Sequence, residues 1–275
     1  MPANTLAPHS AKAQSKAHNR EIALAALRGA KLAPASAQPY AFAAAILPLG
    51  DQAVCARFPE GGLRRGALHE LAPQTHWDQG AAVGFCLGAC ARALRLQAGP
   101  MVWIGRPHGD FGAPYGLGLA GFGLDPRQVL WVCPPRLADR FWATEEVLRS
   151  GAARVVLAQL EGDGLDLVAT RRLQLAAENG GSLVLLLRGP SDAPIALANS
   201  RWRVAARPAS HWGQGSCRMQ LMRARSLPAG AAAFDLEWQS ATNAFHLAAI
   251  LGHSAAGFAG APSQTGFTGL ALGAA

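Results

Sequence analysis

Along this 275-residue chain the apolar positions follow two rhythms, and the change from one to the other divides the sequence. Up to Gly189, short continuous apolar runs alternate with segments in which apolar residues recur every three to four positions. Residues 1–20 carry no such pattern and read as a flexible tail. Residues 21–32 place Ile22, Leu24, Leu27 and Leu32 at near-helical spacing before Pro34 and Pro39. They predict a short helix that must dock on something. Residues 41–46 and 61–65 flank an approach loop, and 67–71 alternate as a first core strand. Asp78 is then placed to cap a helix over 80–96, with Val83, Leu87, Cys90 and Leu94 on one stripe and Gly99 at its end. The run 101–104 is apolar throughout, as in a strand buried on both faces. A glycine-rich stretch with a short helix at 115–122 leads to a strand at 129–133. Residues 135–150 predict a helix with Pro135 at its start, Leu137, Phe141, Val147 and Leu148 inward, and Gly151 at its end. A strand at 155–160, a helix at 167–178 closed by Gly180, and a strand at 183–187 complete this half.

Strand and helix in strict alternation imply right-handed crossovers and a mainly parallel sheet covered on both faces, a three-layer αβα arrangement. Beyond Gly189 the period falls to two, at 202–205, 219–223 and 234–238, between Gly/Pro-rich turns. These predict antiparallel strands that finish the sheet at its C-terminal end. From 240 onward Gly, Ala and Ser dominate apart from a helical stretch at 244–251. The chain therefore reads as a tail at 1–20, one domain at 21–239 and a flexible or partner-ordered tail at 240–275.

Composition agrees with one large core: half of the residues are hydrophobic and 15% charged, unlike a disordered chain. The net charge is +8, carried almost wholly by arginine, since Lys occurs only at Lys12, Lys16 and Lys31. Such a balance favours nucleic acid or an acidic protein partner, although an Arg- and Ala-rich coding bias gives the same figure. Five cysteines without a C-x-x-C pair point to reduced thiols in the cytoplasm, with neither a disulfide frame nor a metal site. Cys86 and Cys90, one helical turn apart, read as buried small hydrophobes. No run approaches the roughly 20 apolar residues of a membrane span, and residues 1–20 lack an apolar signal core.

Between Phe58 and Gly84 a glycine turn, a strand, a loop and a helix start follow one another in the order that introduces a phosphate-binding loop. The residues that such a loop needs are missing. In the G-x-x-x-x-G-K-[ST] pattern backbone N–H groups cradle the phosphates, Lys reaches the outer ones and a hydroxyl binds Mg²⁺. Here the connecting loop is Ala72, Pro73, Gln74, Thr75, His76, Trp77, Asp78 and Gln79. With Ala72 at the first glycine, Trp77 takes the second, Asp78 the lysine and Gln79 the hydroxyl position. A carboxylate about 4 Å from a phosphate charge is repelled by roughly 4 kcal/mol near a protein surface. The strand at 155–160, which in such ATPases ends in a Mg²⁺-organising acid, continues instead into Ala158 and Gln159. Glu161 and Asp163 follow in a glycine-rich loop and read as solvated. No catalytic residue, metal ligand or cofactor is expected. His76 and Trp77 either fill the vacated space or present a contact surface.

The remaining chemistry is modest. His69 and Glu70 alternate on one strand and so point to opposite faces, and His69 reads as structural. His108 and Asp110 lie in a loop at a ligand-binding edge of the sheet without an accompanying nucleophile. Glu145 and Glu146 read as solvent-facing. Arg171, Arg172, Arg201, Arg203, Arg207, Arg218, Arg223 and Arg225 are interleaved with Trp202 and Trp212. Arginine beside aromatic rings suits a protein hot spot, and also single-stranded DNA. Arg201, Trp202, Arg203, Arg223 and Arg225 are the candidate partner or DNA contacts, with some arginines ion-paired to Asp166, Glu178 or Glu237.

The segment EGGLRRGALHEL resembles the start of the RecA ATPase core, and GFGLDPRQVLWV and LRSGAARVVLAQL follow in a similar order. TRRLQLAAENGGSLVLLLR, NSRWRVAARPAS and MQLMRARS resemble the ImuA family, RecA-like proteins of bacterial inducible mutagenesis cassettes that are also grouped with SulA-like division inhibitors. The resemblance covers roughly residues 21–238. It implies a RecA-like fold and a non-catalytic accessory of SOS-induced translesion DNA synthesis and repair. The implied partners are an ImuB-like Y-family polymerase homologue, RecA and an error-prone C-family polymerase, with DNA met directly or through them. A single-stranded-DNA-binding recombination module with weak ATPase activity and a SulA-like inhibitor of cell division are the alternatives.

Overall fold

A computed structural model describes residues 45–106, 108–109, 111–162, 165–210, 214–225 and 233–248. The chain opens with a two-strand ladder of β1 (Ile46–Leu47) against β2 (Leu63–Arg64), which brackets a single turn of helix α1 (Gln52–Cys55). The expected N-terminal helix at 21–32 lies outside the described residues. The main sheet is then laid down by β3 (Ala67–Pro73), β4 (Met101–Ile104), β5 (Val129–Val132), β6 (Val155–Gln159), β7 (Leu183–Leu187), β8 (Ser200–Ala206), β9 (Ser216–Ala224), β10 (Phe234–Gln239) and β11 (Ala244–Leu247).

Its spatial order is β11-β10-β9-β8-β3-β7-β6-β4-β5. From β8 to β5 every neighbouring pair is parallel, and from β8 to β11 every pair is antiparallel. The mainly parallel sheet with an antiparallel C-terminal end is the layout that the alternation predicted, and it is compatible with the RecA-like arrangement.

Crossover direction explains the three layers. The chain passes from β3 outward to β4 through α2 (Gln79–Leu96), and it returns from β5 through β6 to β7 by way of α4 (Leu137–Ser150) and α5 (Leu167–Gly180). Right-handed crossovers in opposite directions put their helices on opposite faces. Two apolar clusters result. On one face Ala82, Phe85, Cys86, Ala89, Cys90 and Ala93 of α2 pack against Leu71, Trp103, Leu157, Leu185 and Trp202. On the other, Val147 and Leu148 of α4 and Leu173 and Ala177 of α5 pack against Leu68, Val102, Val156 and Leu186. The central strands β3, β4, β6 and β7 are buried at every position. That is why β4 and β7 read as unbroken apolar runs, whereas β3 also buries His69 and Glu70.

Local signals fix the helix ends. The Asp166 side chain accepts from Ala169 N at 2.6 Å and starts α5, and left-handed Gly151 and Gly181 stop α4 and α5. Gly180, expected to close α5, lies inside it instead. A Cβ there would stand 2.4 Å from the Leu148 carbonyl oxygen, so its smallness lets the ends of α4 and α5 meet. The short α3 (Gly116–Gly121) falls within its expected range.

Two sequence expectations are corrected at the C-terminal end. Residues 244–247 are not helical but form edge strand β11, paired with β10 through Trp238 opposite Phe245. Part of the expected tail is thereby sheet. Phe245 stacks on Phe85 at 5.1 Å and meets Trp238 at 4.9 Å, so β11 is held by the α2-side core.

Candidate functional site

The carboxyl end of β3 is where a phosphate loop would lie. Ala72 and Pro73 prolong β3, buried and in register with Arg203 and Val204 of β8, so the connecting loop begins at Gln74 rather than at Ala72. The loop is a single 3₁₀ turn over His76–Asp78. Asp78 does not cap α2 with its side chain, as expected. It turns back: Oδ2 accepts from Thr75 N at 2.9 Å and Thr75 Oγ1 at 2.6 Å, and Oδ1 accepts from Ala206 N at 2.7 Å. Burial pushes this carboxyl up, but the Thr75 hydroxyl, the Ala206 and Thr75 amides and the nearby Arg207 outweigh it and hold it below the usual carboxylate range.

Three backbone donors of the loop are committed as well. Gln74 N donates to Val204 O at 2.8 Å, Asp78 N to Thr75 O at 3.1 Å, and Thr75 N to the Asp78 carboxylate. These N–H groups, of the kind that converge on an anion in a phosphate loop, are turned toward protein oxygens. Trp77 does not fill the vacated space; it is 94% exposed. It stands on the rim of a groove of about 490 Å³ lined also by His76, Val83, Leu87, Phe111 and Phe122. Gln79, expected at the hydroxyl position, begins α2 beside that groove.

The end of β6 is also neutral. Gln159 Oε1 accepts from Arg106 N at 3.1 Å, and its Nε2 donates to Gly112 O at 3.1 Å. The amide ties the loop after β4 to the sheet at the position of a Mg²⁺-organising acid. Glu161 is buried rather than solvated, with Arg106 at 3.1 Å and Arg140 at 3.5 Å. Both guanidinium groups approach its Oε1, and burial without them would be costly, while its Oε2 has no hydrogen-bond partner among the described residues. Asp163, Asp110 and Trp212 lie outside the described residues, and His108 is exposed.

The candidate contact set separates. Trp202 is fully buried in the α2-side core, its Nε1 donating to Ser200 Oγ at 2.8 Å, and offers no face to a partner. Arg201 and Arg203 do share one face of β8, opposite to Trp202, but both are engaged. Arg201 lies 3.5 Å from Glu70, and Arg203 donates to Pro73 O at 3.1 Å and Pro190 O at 2.5 Å. Arg223 donates to Ala196 O at 3.0 Å, and Arg225 is exposed at the opposite edge of the sheet. The expected acids are not the ion-pair partners: Asp166 caps α5, Glu178 accepts from Gln174 and Glu237 accepts from Ser210. Arg218 pairs instead with Asp235 through two bonds, at 2.7 and 2.9 Å.

Glu145 corrects the solvent-facing reading. It is buried between α4 and α5, bonded to Arg172 and 2.5 Å from Arg149. His69 and Glu70 do occupy opposite faces. Trp202 donates to Ser200, Ser200 meets His69 Nδ1 at 2.7 Å, and His69 Nε2 donates to the Arg64 carbonyl at 2.8 Å, a closed polar chain inside the core. Glu70 accepts from Ile195 N at 2.9 Å. Burial pushes its carboxyl above the ordinary value, against the Ile195 amide and Arg201, Arg188 and Arg203.

Sequence reasoning missed what Glu70 serves. The crossover from β7 to β8 has no helix, and residues 188–199 cover that part of the sheet as a loop. The loop is pinned by Glu70, by Arg188 donating to Leu160 O and Ala193 O, and by Asp192 accepting from Gly162 N and Gly189 N. A signal was present in Arg188, which ends the apolar run of β7 four residues before Asp192.

No protein-family model matches the chain. The ImuA proteins of two strains of Caulobacter vibrioides are each 32% identical to it over 175 residues, which cover 59% of this chain and 69% of the relative. At that identity and coverage, with the mainly parallel sheet and its antiparallel C-terminal end in place, the chain belongs to the ImuA family.

Proposed function

We propose that this chain is a non-catalytic, nucleotide-independent accessory of SOS-induced translesion DNA synthesis. It works in the cytoplasm through protein contacts with an ImuB-like Y-family polymerase homologue, RecA and an error-prone C-family polymerase, and meets DNA directly or through them. Membership of the ImuA family supports a role in the ImuA/ImuB mutagenesis system. Among the described residues no helix is long and apolar enough to cross a membrane.

One observation carries the non-catalytic reading: where phosphates would sit, Asp78 closes the turn on itself, and an almost fully exposed Trp77 stands on an apolar groove beside it. A carboxylate and committed amides disfavour a polyphosphate. Tryptophan is one of the residue types enriched at interface hot spots. Titration calorimetry with ATP and Mg²⁺ is expected to give no binding heat. A Mg²⁺-dependent isotherm abolished by changing the loop at 74–79 would overturn the reading. Trp77→Ala is expected to leave the melting temperature unchanged, since exposed substitutions stay within about 0.5 kcal/mol. It should weaken capture of the ImuB-like partner and lower damage-induced mutagenesis; retention of both would refute Trp77 as an anchor.

A further inference from the structure

At the amino end of β3 the chain leaves a polar cleft of about 520 Å³. Arg64 and Arg65 reach it from the end of β2, Glu60 from the turn before β2, and Gln174 and Glu178 from α5. Several of these groups are satisfied within the chain. Arg64 pairs with Glu60, and Gln174 accepts from Leu68 N at 3.4 Å and donates to Glu178 at 2.9 Å.

Asn199 and Arg225, which complete the wall, differ from them. They continue the register of β8 and β9 as a cross-strand pair, Arg225 N donating to Asn199 O at 2.9 Å, and so stand side by side. Asn199 is only 7% exposed, yet its side-chain amide has no hydrogen-bond partner among the described residues. A buried amide without a partner is costly, and the cleft is the side from which one can come. The Arg225 guanidinium is exposed and has no ion pair among the described residues. Outside those residues the sequence holds three acids, Glu21, Asp110 and Asp163, so the chain has little of its own to offer as a counter-charge. Arg65 adds to the positive field. Burial and the neighbouring Arg154 both lower the pKa of its guanidinium, a setting in which a nearby anion is favoured.

The donors present select the anion. A guanidinium fork donates to both oxygens of a carboxylate, and a carboxamide beside it donates to one of them while its own oxygen accepts a main-chain N–H. The two acids in the cleft select further. A nucleic-acid backbone would bring successive phosphates against Glu60 and Glu178, whereas one carboxylate can sit with the arginines alone.

We propose that this cleft receives a carboxylate side chain from an acidic peptide segment of a partner protein, with Arg225 and Asn199 donating to it and Arg65 supplying further positive charge. The contact is additional to the Trp77 groove, which lies at the other end of the seven-residue β3, about 20 Å away. Either assignment can therefore fail without the other.

NMR titration of isotope-labelled full-length protein tests it. The probe is the capped tripeptide acetyl-Gly-Asp-Gly-amide, with acetyl-Gly-Asn-Gly-amide as the neutral control and an oligothymidylate as the rival anion. Saturable shifts of the Asn199 side-chain amide and of the Arg225 Nε–H are expected with the aspartyl peptide, and binding weaker by about tenfold with the asparaginyl one. Arg225→Gln should weaken the aspartyl peptide by about tenfold and leave the melting temperature unchanged, since its side chain is exposed and unpaired. Asn199→Ala should also weaken it, although it removes no side-chain hydrogen bond within the chain. Equal binding of the two peptides, tighter binding of the oligothymidylate, no shift at Asn199 and Arg225, or undiminished binding by Arg225→Gln would each overturn the proposal.

Discussion

Replacing Asp78 by alanine removes three hydrogen bonds with one side chain, those from Thr75 N, Thr75 Oγ1 and Ala206 N. The first two close the turn at the head of α2, and the third ties that turn to the end of β8. Because the site is only half buried, water takes over the freed donors, and the loss is that of a helix-capping residue, about 1–2 kcal/mol. For a domain of this size that lowers the melting temperature by roughly 2–4 °C per kcal/mol. The pH dependence discriminates further. The Asp78 carboxyl is depressed in the folded protein, so its stabilisation is fully present above the unfolded-state value of about 3.9 and is lost as pH falls through the folded-state value. Urea unfolding of the wild type and Asp78→Ala should therefore diverge at neutral pH and converge as the pH falls through the depressed folded-state value, below which both carry an uncharged residue. Asp78→Asn should fall between them, because its amide accepts through one oxygen and carries no charge. A deficit under about 0.3 kcal/mol at neutral pH, or one that stays constant as the pH is lowered, would refute the clamp.

Other expectations rest on different parts of the fold. Burial pushes the His69 imidazole down to about 4, against its bond to the Arg64 carbonyl and the Glu60 charge. The unfolded chain then binds the extra proton first, so stability is full above about pH 6.5 and falls by roughly 3 kcal/mol as pH drops toward 4. An NMR titration of His69 with a midpoint near 6.5 would contradict this. Cys86, Cys90 and Cys217 are buried thiols pushed up by burial, Cys217 to about 12, whereas Cys133 is exposed. A thiol reagent should modify Cys133 rapidly and those three only on unfolding; fast reaction of all five cysteines in the native protein would refute the packing. Gly88→Ala would set a Cβ 2.5 Å from Phe245 and 2.8 Å from Trp238. Its gain in helix propensity, up to about 1 kcal/mol, is outweighed by about 1–3 kcal/mol of overpacking, a net loss read by urea unfolding. A stabilised variant would mean that β11 is not seated on α2.

The sheet was legible because burial on both faces leaves an unbroken apolar run, as at Met101–Ile104 and Leu183–Leu187. The antiparallel end was legible because one face of β8 and of β10 is buried and the other is not, giving alternation. Residues 244–247 were not legible. Four apolar-rich residues fit a helix or a strand equally, and their state is decided by Trp238 and Phe85, contacts that local periodicity does not carry. The same limit misplaced single charges. Glu145 sits on a helix whose pattern permits exposure, and only the approach of Arg172 from α5 shows why it is buried. Trp202 was read from the arginines on either side of it, yet on a strand those neighbours point the other way. At the candidate site the absence of glycine and lysine from the loop, with Gln79 at the motif's hydroxyl position, was plain in the sequence, whereas the inward turn of Asp78 depended on Ala206, 128 residues away.

The polar side chains at the carboxyl edge act together. Asp78 joins the β3–α2 turn to β8, Gln159 joins the loop after β4 to β6, and Glu161 draws Arg106 and Arg140 to the same region. In nucleotide switches such loops are ordered by the γ-phosphate and released when it is lost. Here each connection is supplied by the chain itself, so the loops are held without a ligand. A surface fixed in advance loses less conformational freedom when a partner binds. That favours Trp77 as a permanent anchor over one revealed by a nucleotide cycle. It follows that Asp78→Ala should weaken partner capture even though Trp77 is intact, by loosening the turn that carries it. If Asp78→Ala loses stability at neutral pH but binds the ImuB-like partner as tightly as the wild type, preorganisation of this edge plays no part in binding.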